Sequence, residues 1–174
     1  DQAIGNDVIQ SAKSKLKQRI DEQKPMAYVL GFSVFAGLSF KVDKRVLIPR
    51  SPIVSLIDSG FSPWLDIYKV KNALDLCTGS GCIGLAVAHY FEHCHVTLSD
   101  LSADALALAQ QNTKALGLSG RVNTVHSDLF ESIEGTFDMI VTNPPYVSDA
   151  DYQQLPAEFA HEPKMALVSA GDGL

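Results

Sequence analysis

The sequence has few of the features that mark secreted, metal-binding or membrane-spanning proteins. Its three cysteines, at positions 77, 82 and 94, form no Cys-x-x-Cys pair, so neither a disulfide framework nor a zinc site is expected. No apolar stretch approaches the roughly 20 residues that span a bilayer, and the first residues, DQAIGNDVIQSAKSK, are not a secretory signal. These absences favour a soluble protein of the cytoplasm with free thiols, no bound metal and no membrane partner.

Positive charge is also scarce. The chain has 14 Lys and Arg against 20 Asp and Glu, a net charge of -6 at pH 7. Proteins that derive their affinity from neutralising nucleic-acid phosphates carry the opposite sign. No sequence-specific nucleic-acid binding is therefore expected. At 174 residues and 46% hydrophobic content, the chain is large enough to bury one sizeable core.

The first third of the chain predicts a helix, a hairpin and a second helix. Residues 7–22 place apolar side chains at helical spacing, which predicts an amphipathic helix. Residues 28–48 are rich in aromatic and β-branched side chains, which predicts a β-hairpin or small ribbon. Ser51 as N-cap, with Pro52 at the first helical position, predicts a helix that runs to about Asp58.

From residue 72 onward, short apolar strands alternate with helices. The segments read ALDLC, GCIGLAVAHYF, HVTLSD, SADALALAQQNTKAL, RVNTVHS and FDMIVTN. Strand, helix, strand, helix, strand, strand is typical of an α/β fold with a mostly parallel sheet. Ser102 is the expected N-cap of the second of these helices, and Gly117 is its expected stop.

A glycine-rich turn lies between the first of these strands and its helix. In LDLCTGSG, residues 74–81, small side chains let a ligand approach the backbone, and the helix N-terminus offers unpaired N–H groups. Gly79-x-Gly81-x-x-Gly84 also satisfies the dinucleotide pattern, with Asp100 placed to bind a ribose diol. A nicotinamide-dependent oxidoreductase is therefore one alternative.

Asp75 favours a different cofactor, because it resembles the acidic residue that opens the first motif of Rossmann-like methyltransferases. The resemblance implies S-adenosylmethionine as cofactor, with its ribose hydroxyls on Asp100 and its adenine bordered by Asp128 and Leu129. The turn would wrap the methionine part of the cofactor through Cys77, Thr78, Gly79, Ser80 and Gly81. Open parallel sheets bind ligands along the edge at which such acids would meet.

The most specific signal in the chain is Asn143-Pro144-Pro145-Tyr146, directly after an apolar strand. The two prolines stop further strand pairing and stiffen the turn. The tetrapeptide resembles the fourth motif of amino-methyltransferases, which act on planar nitrogens in adenine, guanine or glutamine amides. A catalytic role for all four residues is therefore expected, with Asn143 also beside the cofactor.

The chemistry of an amide nitrogen explains these residue types. The nitrogen is a poor nucleophile because its lone pair is delocalised, so an enzyme must hold and orient it. Asn143 can accept one N–H through its side-chain oxygen, and the carbonyl of Pro144, fixed by Pro145, can accept the other. Tyr146 can pack on the planar group. Such positioning lowers the barrier without a general base, since the proton leaves after methyl transfer.

Four segments together resemble one family. PRSPI at 49–53, LDLCTGSGCIG at 74–84, NPPYV at 143–147 and EFAHEP at 158–163 are similar to the protein-glutamine N5-methyltransferases. The likeness runs from the predicted hairpin to the final AGDGL. It is greatest to the branch that modifies a large-subunit ribosomal protein.

The resemblance also implies a substrate and a site. The related branch that modifies release factors usually has glycine at the position of Cys77 and a different residue pair after Arg50, so a ribosomal protein is the expected partner and a release factor the alternative. Pro49 and Arg50 would lie near the mouth of the active site. For His161 and Glu162 the resemblance supplies no role, and a surface turn is expected.

The resemblance divides the chain into three parts. Residues 1–26 would be a remnant of an N-terminal helical substrate-recognition domain, residues 27–50 a β-hairpin linker, and residues 51–174 a Rossmann-like class I methyltransferase domain. The family's sheet has more strands than this sequence supplies, so a truncated chain without the C-terminal strands is expected. A nucleic-acid amino-methyltransferase and a non-catalytic cofactor-binding module remain further alternatives.

Overall fold

The computed structural model describes residues 5–169. Residues 1–4 and 170–174, which include the final AGDGL, lie outside the described part, as do the ends of the first and third predicted domains. Within residues 5–169, no helix is both long enough and apolar enough to cross a membrane.

The N-terminal region is a long helix, a short helix and a hairpin. Its elements are α1 (Asn6–Asp21), α2 (Met26–Leu30), β1 (Phe32–Phe35) and β2 (Leu38–Lys41), with β1 and β2 antiparallel. The first helix is confirmed to within one residue. The prediction of a hairpin over residues 28–48 is wrong at both ends, because residues 28–30 are helical and 42–48 form no strand. A short apolar run does not distinguish helix from strand, and Gly31, in the left-handed conformation, ends α2.

The second region is the predicted α/β unit. Its elements are α3 (Ile53–Asp58), β3 (Asn72–Leu76), α4 (Cys82–Tyr90), β4 (His95–Asp100), α5 (Ala103–Ala115), β5 (Val122–His126), β6 (Met139–Thr142) and α6 (Asp149–Tyr152). Strands β3 to β6 form one parallel sheet in the order β5-β4-β3-β6. The α/β fold with a parallel sheet is therefore confirmed.

Local signals set the helix ends nearly as expected. The Ser102 hydroxyl accepts a hydrogen bond from the Ala105 N–H at 3.2 Å, and Gly117 follows α5 with a φ of 71°. The third helix begins one residue later than predicted, at Ile53. Ser51 nevertheless accepts the Ile53 N–H at 3.3 Å, so its capping side chain acts as the sequence indicated.

The core lies between the sheet and the helices α4 and α5. Leu74, Leu85, Leu98 and Leu108 are completely buried, and burying each such side chain stabilises the fold by roughly 1.5–3 kcal/mol. Asn112 of α5 extends this packing to the hairpin. Its side-chain amide donates to the carbonyl oxygens of Lys41 and Ser80 and its oxygen accepts the Lys41 N–H, so β2 is tied directly to the glycine-rich turn.

Candidate functional site

The register of the parallel sheet brings the predicted site residues to one edge. Leu76 is paired with Ser99 of β4 on one side and with Thr142 of β6 on the other. The residues that follow these strands must therefore meet. Because β4 and β6 flank β3 on opposite sides, a crevice forms at this point, as is usual for ligand sites in open α/β sheets.

A cavity of about 620 Å³ occupies this edge. It is lined by most of the residues that the sequence analysis singled out, namely Pro49, Arg50, Cys77, Thr78, Gly79, Ser80, Asp100, Asp128, Leu129, Asn143, Pro144 and Pro145. Three of the predicted residues, Asp75, Gly81 and Tyr146, lie outside its lining. The glycine-rich turn and the Asn-Pro-Pro segment thus share one cavity.

Asp75 lies beneath the turn. One carboxylate oxygen accepts hydrogen bonds from the Thr78 hydroxyl at 2.5 Å and from the Gly84 N–H at 2.8 Å, while the other has no partner within residues 5–169. Burial raises the pKa of Asp75 to about 7, against the lowering effect of these two hydrogen bonds. The geometry gives Asp75 the role of holding the turn in place from below.

The turn depends on close packing as well as on hydrogen bonds. A Cβ added at Gly84 would lie 2.4 Å from Leu98 Cδ2 and 2.8 Å from Asp75 Cβ, so only glycine fits between α4 and the sheet. At Gly81, φ is 83° and a Cβ would lie 2.9 Å from Leu85 Cδ1. The glycines thus hold the helix N-terminus close to the strands.

The Asp100 carboxylate accepts two backbone hydrogen bonds at the rim of the large cavity. One carboxylate oxygen accepts the Gly79 N–H at 2.8 Å, and the other accepts the Ser102 N–H at 2.9 Å. The carboxylate therefore joins the glycine-rich turn to the start of α5. Each oxygen retains acceptor capacity, because a carboxylate oxygen has two lone pairs.

The loop after β5 borders the large cavity through Ser127, Asp128 and Leu129. The buried Ser127 hydroxyl donates to the Leu129 carbonyl at 2.9 Å and accepts the Ser132 N–H at 2.9 Å. These bonds hold Leu129 at a φ of 44°, in the left-handed region. Asp128 and Leu129 themselves are exposed, as suits residues at the rim of a binding site.

The Asn-Pro-Pro-Tyr segment separates two cavities. A smaller cavity of about 300 Å³ is lined by Tyr146, Leu155 and Phe159, and it shares Asn143 and Pro144 with the larger one. Tyr146 is 65% exposed and lies only on the smaller side. Asn143 and Pro144 are therefore accessible from both cavities.

The prediction of a surface turn at His161 and Glu162 is wrong for Glu162, whose carboxylate is buried. One of its oxygens accepts the Ile48 N–H at 2.9 Å, and the other accepts a hydrogen bond from the Arg50 guanidinium at 2.8 Å. The same guanidinium lies 4.8 Å from the centre of the Phe159 ring. Arg50 is therefore held on two sides at the mouth of the cavity.

Further lining residues were not singled out by the sequence. Ser99 is one of them. Its hydroxyl, like that of the predicted Ser80, is buried against the large cavity and has no hydrogen-bond partner within residues 5–169. Residues 45–48 and 163–169 form much of the remaining wall. Residues 45–48 were predicted as part of the hairpin, and residues 164–169 have no pattern that distinguishes them from an ordinary loop, so no local signal placed either segment at the site.

The thiols of Cys77 and Cys82 lie in surroundings that disfavour the thiolate form. Burial, reinforced by the carboxylate of Asp100, raises the pKa of the Cys77 thiol, and burial raises that of Cys82 to about 12. Both thiols are therefore protonated at neutral pH and are poor nucleophiles. Within the part of the chain that the structure describes, no group of three or more His, Cys, Asp or Glu side chains could hold a metal ion.

Comparison with curated proteins identifies similar chains over most of the length. A protein of Francisella tularensis named ribosomal protein uL3 glutamine methyltransferase is 52% identical over 159 residues, which cover 90% of this chain and 51% of the relative. A protein of Neisseria gonorrhoeae with the same name is 44% identical over 160 residues, covering 91% and 54%. The resemblance to glutamine methyltransferases is confirmed, and the chain spans about half the length of the curated relatives it matches.

Solved structures confirm the fold. The hMettl16 catalytic domain, solved in complex with a hairpin of the MAT2A 3′UTR, has a TM-score of 0.58 at 16% identity and covers 92% of this chain and 56% of its own. The Thermus thermophilus 16S rRNA N2 G1207 methyltransferase, in complex with AdoMet and guanosine, has a TM-score of 0.51 at 22% identity and covers 66% and 32%. The Rossmann-like class I methyltransferase fold is thus established.

A family model described as the methyltransferase small domain matches residues 57–173. This range contains the glycine-rich turn, the acids at the strand ends and the Asn-Pro-Pro-Tyr segment. The oxidoreductase alternative does not agree with this match, although the glycine spacing permitted it. The chain belongs to the methyltransferase small domain family.

Proposed function

We propose that this chain forms the catalytic part of an S-adenosylmethionine-dependent methyltransferase that methylates a glutamine side-chain amide in a protein, the large-subunit ribosomal protein uL3. The observation that carries the proposal is the cavity shared by the glycine-rich turn and by Asn143 and Pro144. The names of the relatives that are 44–52% identical support the glutamine amide and uL3.

The residues of the large cavity fit the cofactor. Its volume of about 620 Å³ lies within the range of about 300–1,000 Å³ typical of small-molecule sites. The unpartnered hydroxyls of Ser80 and Ser99 offer hydrogen bonds to a ligand. Asp100 offers carboxylate acceptors that suit ribose hydroxyls, and the exposed Leu129 offers an apolar border for a base. S-adenosylmethionine, when bound, supplies an electrophilic methyl group.

The chain's own residues would bind and orient the acceptor amide. The side-chain oxygen of Asn143 and the carbonyl of Pro144 are two acceptors for the two N–H bonds of one NH₂ group. Because the smaller cavity also reaches these residues, we propose that the glutamine side chain arrives from that side, past Tyr146. A turn held by two prolines loses little freedom on binding, which favours a fixed orientation of the nitrogen.

The predicted cytoplasmic location forms part of the proposal. Cys77, Cys82 and Cys94 are free thiols, which suits a reducing compartment.

The experiment begins with calorimetric titration of the chain with S-adenosylhomocysteine and, separately, with NAD. We expect binding of S-adenosylhomocysteine alone. Transfer of a labelled methyl group is then measured to uL3, to a release factor and to ribosomal RNA. Label on a uL3 glutamine, absent when that residue is replaced by Glu, would support the proposal. Label on RNA or the release factor alone would overturn the substrate, and tighter binding of NAD would overturn the cofactor.

A further inference from the structure

Two glutamates, Glu158 in the short helical turn Ala157–His161 and Glu162 directly after it, form ion pairs of nearly equal length in very different surroundings. Glu158 pairs with Arg19 at 2.9 Å, and Glu162 pairs with Arg50 at 2.8 Å. The Glu158 side chain is 39% exposed, whereas that of Glu162 is 2% exposed. Only the second pair places a full carboxylate in the interior, where every hydrogen bond it accepts is needed to offset lost hydration.

The partners of Glu162 lie in residues 46–50, a segment of the cavity wall that has no regular secondary structure. Its two oxygens accept from the Ile48 N–H and from the Arg50 guanidinium. A second anchor holds the same wall, since the Tyr28 hydroxyl donates to the Val46 carbonyl. Burial and the Glu162 carboxylate both raise the pKa of Tyr28, so this donor keeps its proton. Residues 46–50 are therefore fixed by side-chain anchors rather than by a strand ladder.

The guanidinium held in this way stands at the junction of the two cavities. Arg50 lines both of them, as do Asn143 and Pro144. Phe159, on which the guanidinium rests, lines only the smaller cavity. The glycine-rich turn on the cofactor side has anchors of its own, Asp75 below it and Asn112 from α5, although Ile48, the other partner of Glu162, lines only the larger cavity. A change at Glu162 therefore reaches the acceptor side through Arg50, while the glycine-rich turn keeps its own anchors.

We infer that Glu162 is a positioning residue for the protein substrate: by fixing Ile48 and Arg50 it keeps the acceptor-side opening at Asn143 in shape. This inference rests on the proposed function. It assigns a role to a residue for which the family resemblance supplied none.

Glu162→Gln is the test variant, and Glu158→Gln is the matched control. Glutamine keeps the size of the side chain and one oxygen acceptor for the Ile48 N–H, but its NH₂ group would face the Arg50 donors and release them. In the full-length protein we expect Glu162→Gln to lower kcat/KM for the protein substrate about tenfold or more, with S-adenosylhomocysteine affinity within about twofold of wild type. Glu158→Gln should change neither quantity.

Arg50→Gln is a second test variant, because the Arg50 side chain is 40% exposed and glutamine retains a side-chain N–H donor. If Glu162 acts through Arg50, this variant reproduces the loss in kcat/KM, and the double variant is no worse than either single variant. An unchanged kcat/KM in Arg50→Gln, or fully additive losses in the double variant, would overturn the inference.

Hydrogen exchange provides a readout that does not depend on methyl transfer. We expect the Ile48 amide to exchange about tenfold faster or more in Glu162→Ala, which removes its acceptor, than in Glu158→Ala, while amides of β3 are unchanged. Equal exchange in the two variants, or an equal loss of S-adenosylhomocysteine affinity and kcat/KM in Glu162→Gln, would contradict a positioning role. A wild-type protein that methylates no glutamine would instead contradict the proposed function, and the exchange data would still decide how the wall is held.

Discussion

The carboxylate of Asp75 accepts the backbone N–H of Gly84 at 2.8 Å, across the interface between β3 and the first turn of α4. The two residues are also in van der Waals contact, because a Cβ at Gly84 would lie 2.8 Å from the Cβ of Asp75. Strand and helix approach so closely here that the carboxylate supports the turn from below. The shape of the cavity floor thus depends on the buried carboxylate of Asp75 and on the absence of a side chain at Gly84.

Gly84→Ala should destabilise the protein by about 1–3 kcal/mol, since the added methyl group overlaps Leu98 and Asp75 and forces α4 away from the sheet. Urea denaturation measures the free energy of unfolding. Gly120→Ala is the control, because nothing lies within 4 Å of its Cβ position and its φ is not positive. Equal stability of the two variants would show that the helix can shift without cost.

Asp75→Asn should change how stability depends on pH. Burial raises the pKa of Asp75 from 3.8 to about 7 in the folded protein, so between these values the folded state binds more protons than the unfolded state. The contribution of Asp75 is therefore largest below about pH 4 and falls as pH rises to about 7. Relative to Asp75→Asn, wild type should lose on the order of a few kcal/mol between about pH 4 and pH 8.

Urea denaturation of wild type and Asp75→Asn from about pH 4 to pH 8 measures the free energy of unfolding of each. The difference between the two proteins removes the contribution of other titrating groups. Asp104→Asn, at an exposed position of α5, serves as the control. A difference between wild type and Asp75→Asn that stays constant with pH would mean that Asp75 ionises normally.

Asp100→Ala should weaken binding of S-adenosylhomocysteine by more than about tenfold, with a smaller loss in turnover at saturating cofactor. The variant should also lose about 1 kcal/mol of stability, because the N–H groups of Gly79 and Ser102 lose their acceptor. Calorimetry and thermal unfolding measure the two effects. Asp104→Asn is again the control, since it removes a charge near the same helix start. Unchanged affinity in Asp100→Ala would exclude it from the cofactor site.

Asn143→Ala should lower turnover by about 100- to 1,000-fold, the usual effect of removing one positioned polar group from a reacting centre. Cofactor affinity should stay within about threefold, because the glycine-rich turn and Asp100 are untouched. Labelled methyl transfer and calorimetry separate the two quantities. Asn123→Ala, at an exposed position of β5, is the matched control. Loss of S-adenosylhomocysteine binding in Asn143→Ala would contradict a role on the acceptor.

Features that depend on neighbouring residues were predictable from the sequence. The alternation of strands and helices, the Ser102 cap and the turn at residues 77–81 follow from short-range periodicity, side-chain capping and glycine conformation, and the structure has all of them. The parallel sheet then brings the strand ends to one edge, so most of the predicted site residues could be expected to line one cavity. The hairpin limits were less predictable, because a short apolar run suits helix and strand alike.

Only the tertiary structure decided which buried groups support the site. Arg50 and Glu162 are 112 residues apart in the chain and meet because the segment after α6 returns to the segment that precedes α3. Asp75 looked like a ligand residue in the sequence but lies beneath the turn, and Ser99 gave no signal although it lines the cavity. Local sequence determines the conformation of each segment, whereas burial and long-range hydrogen bonds arise only once segments far apart in the chain are packed together.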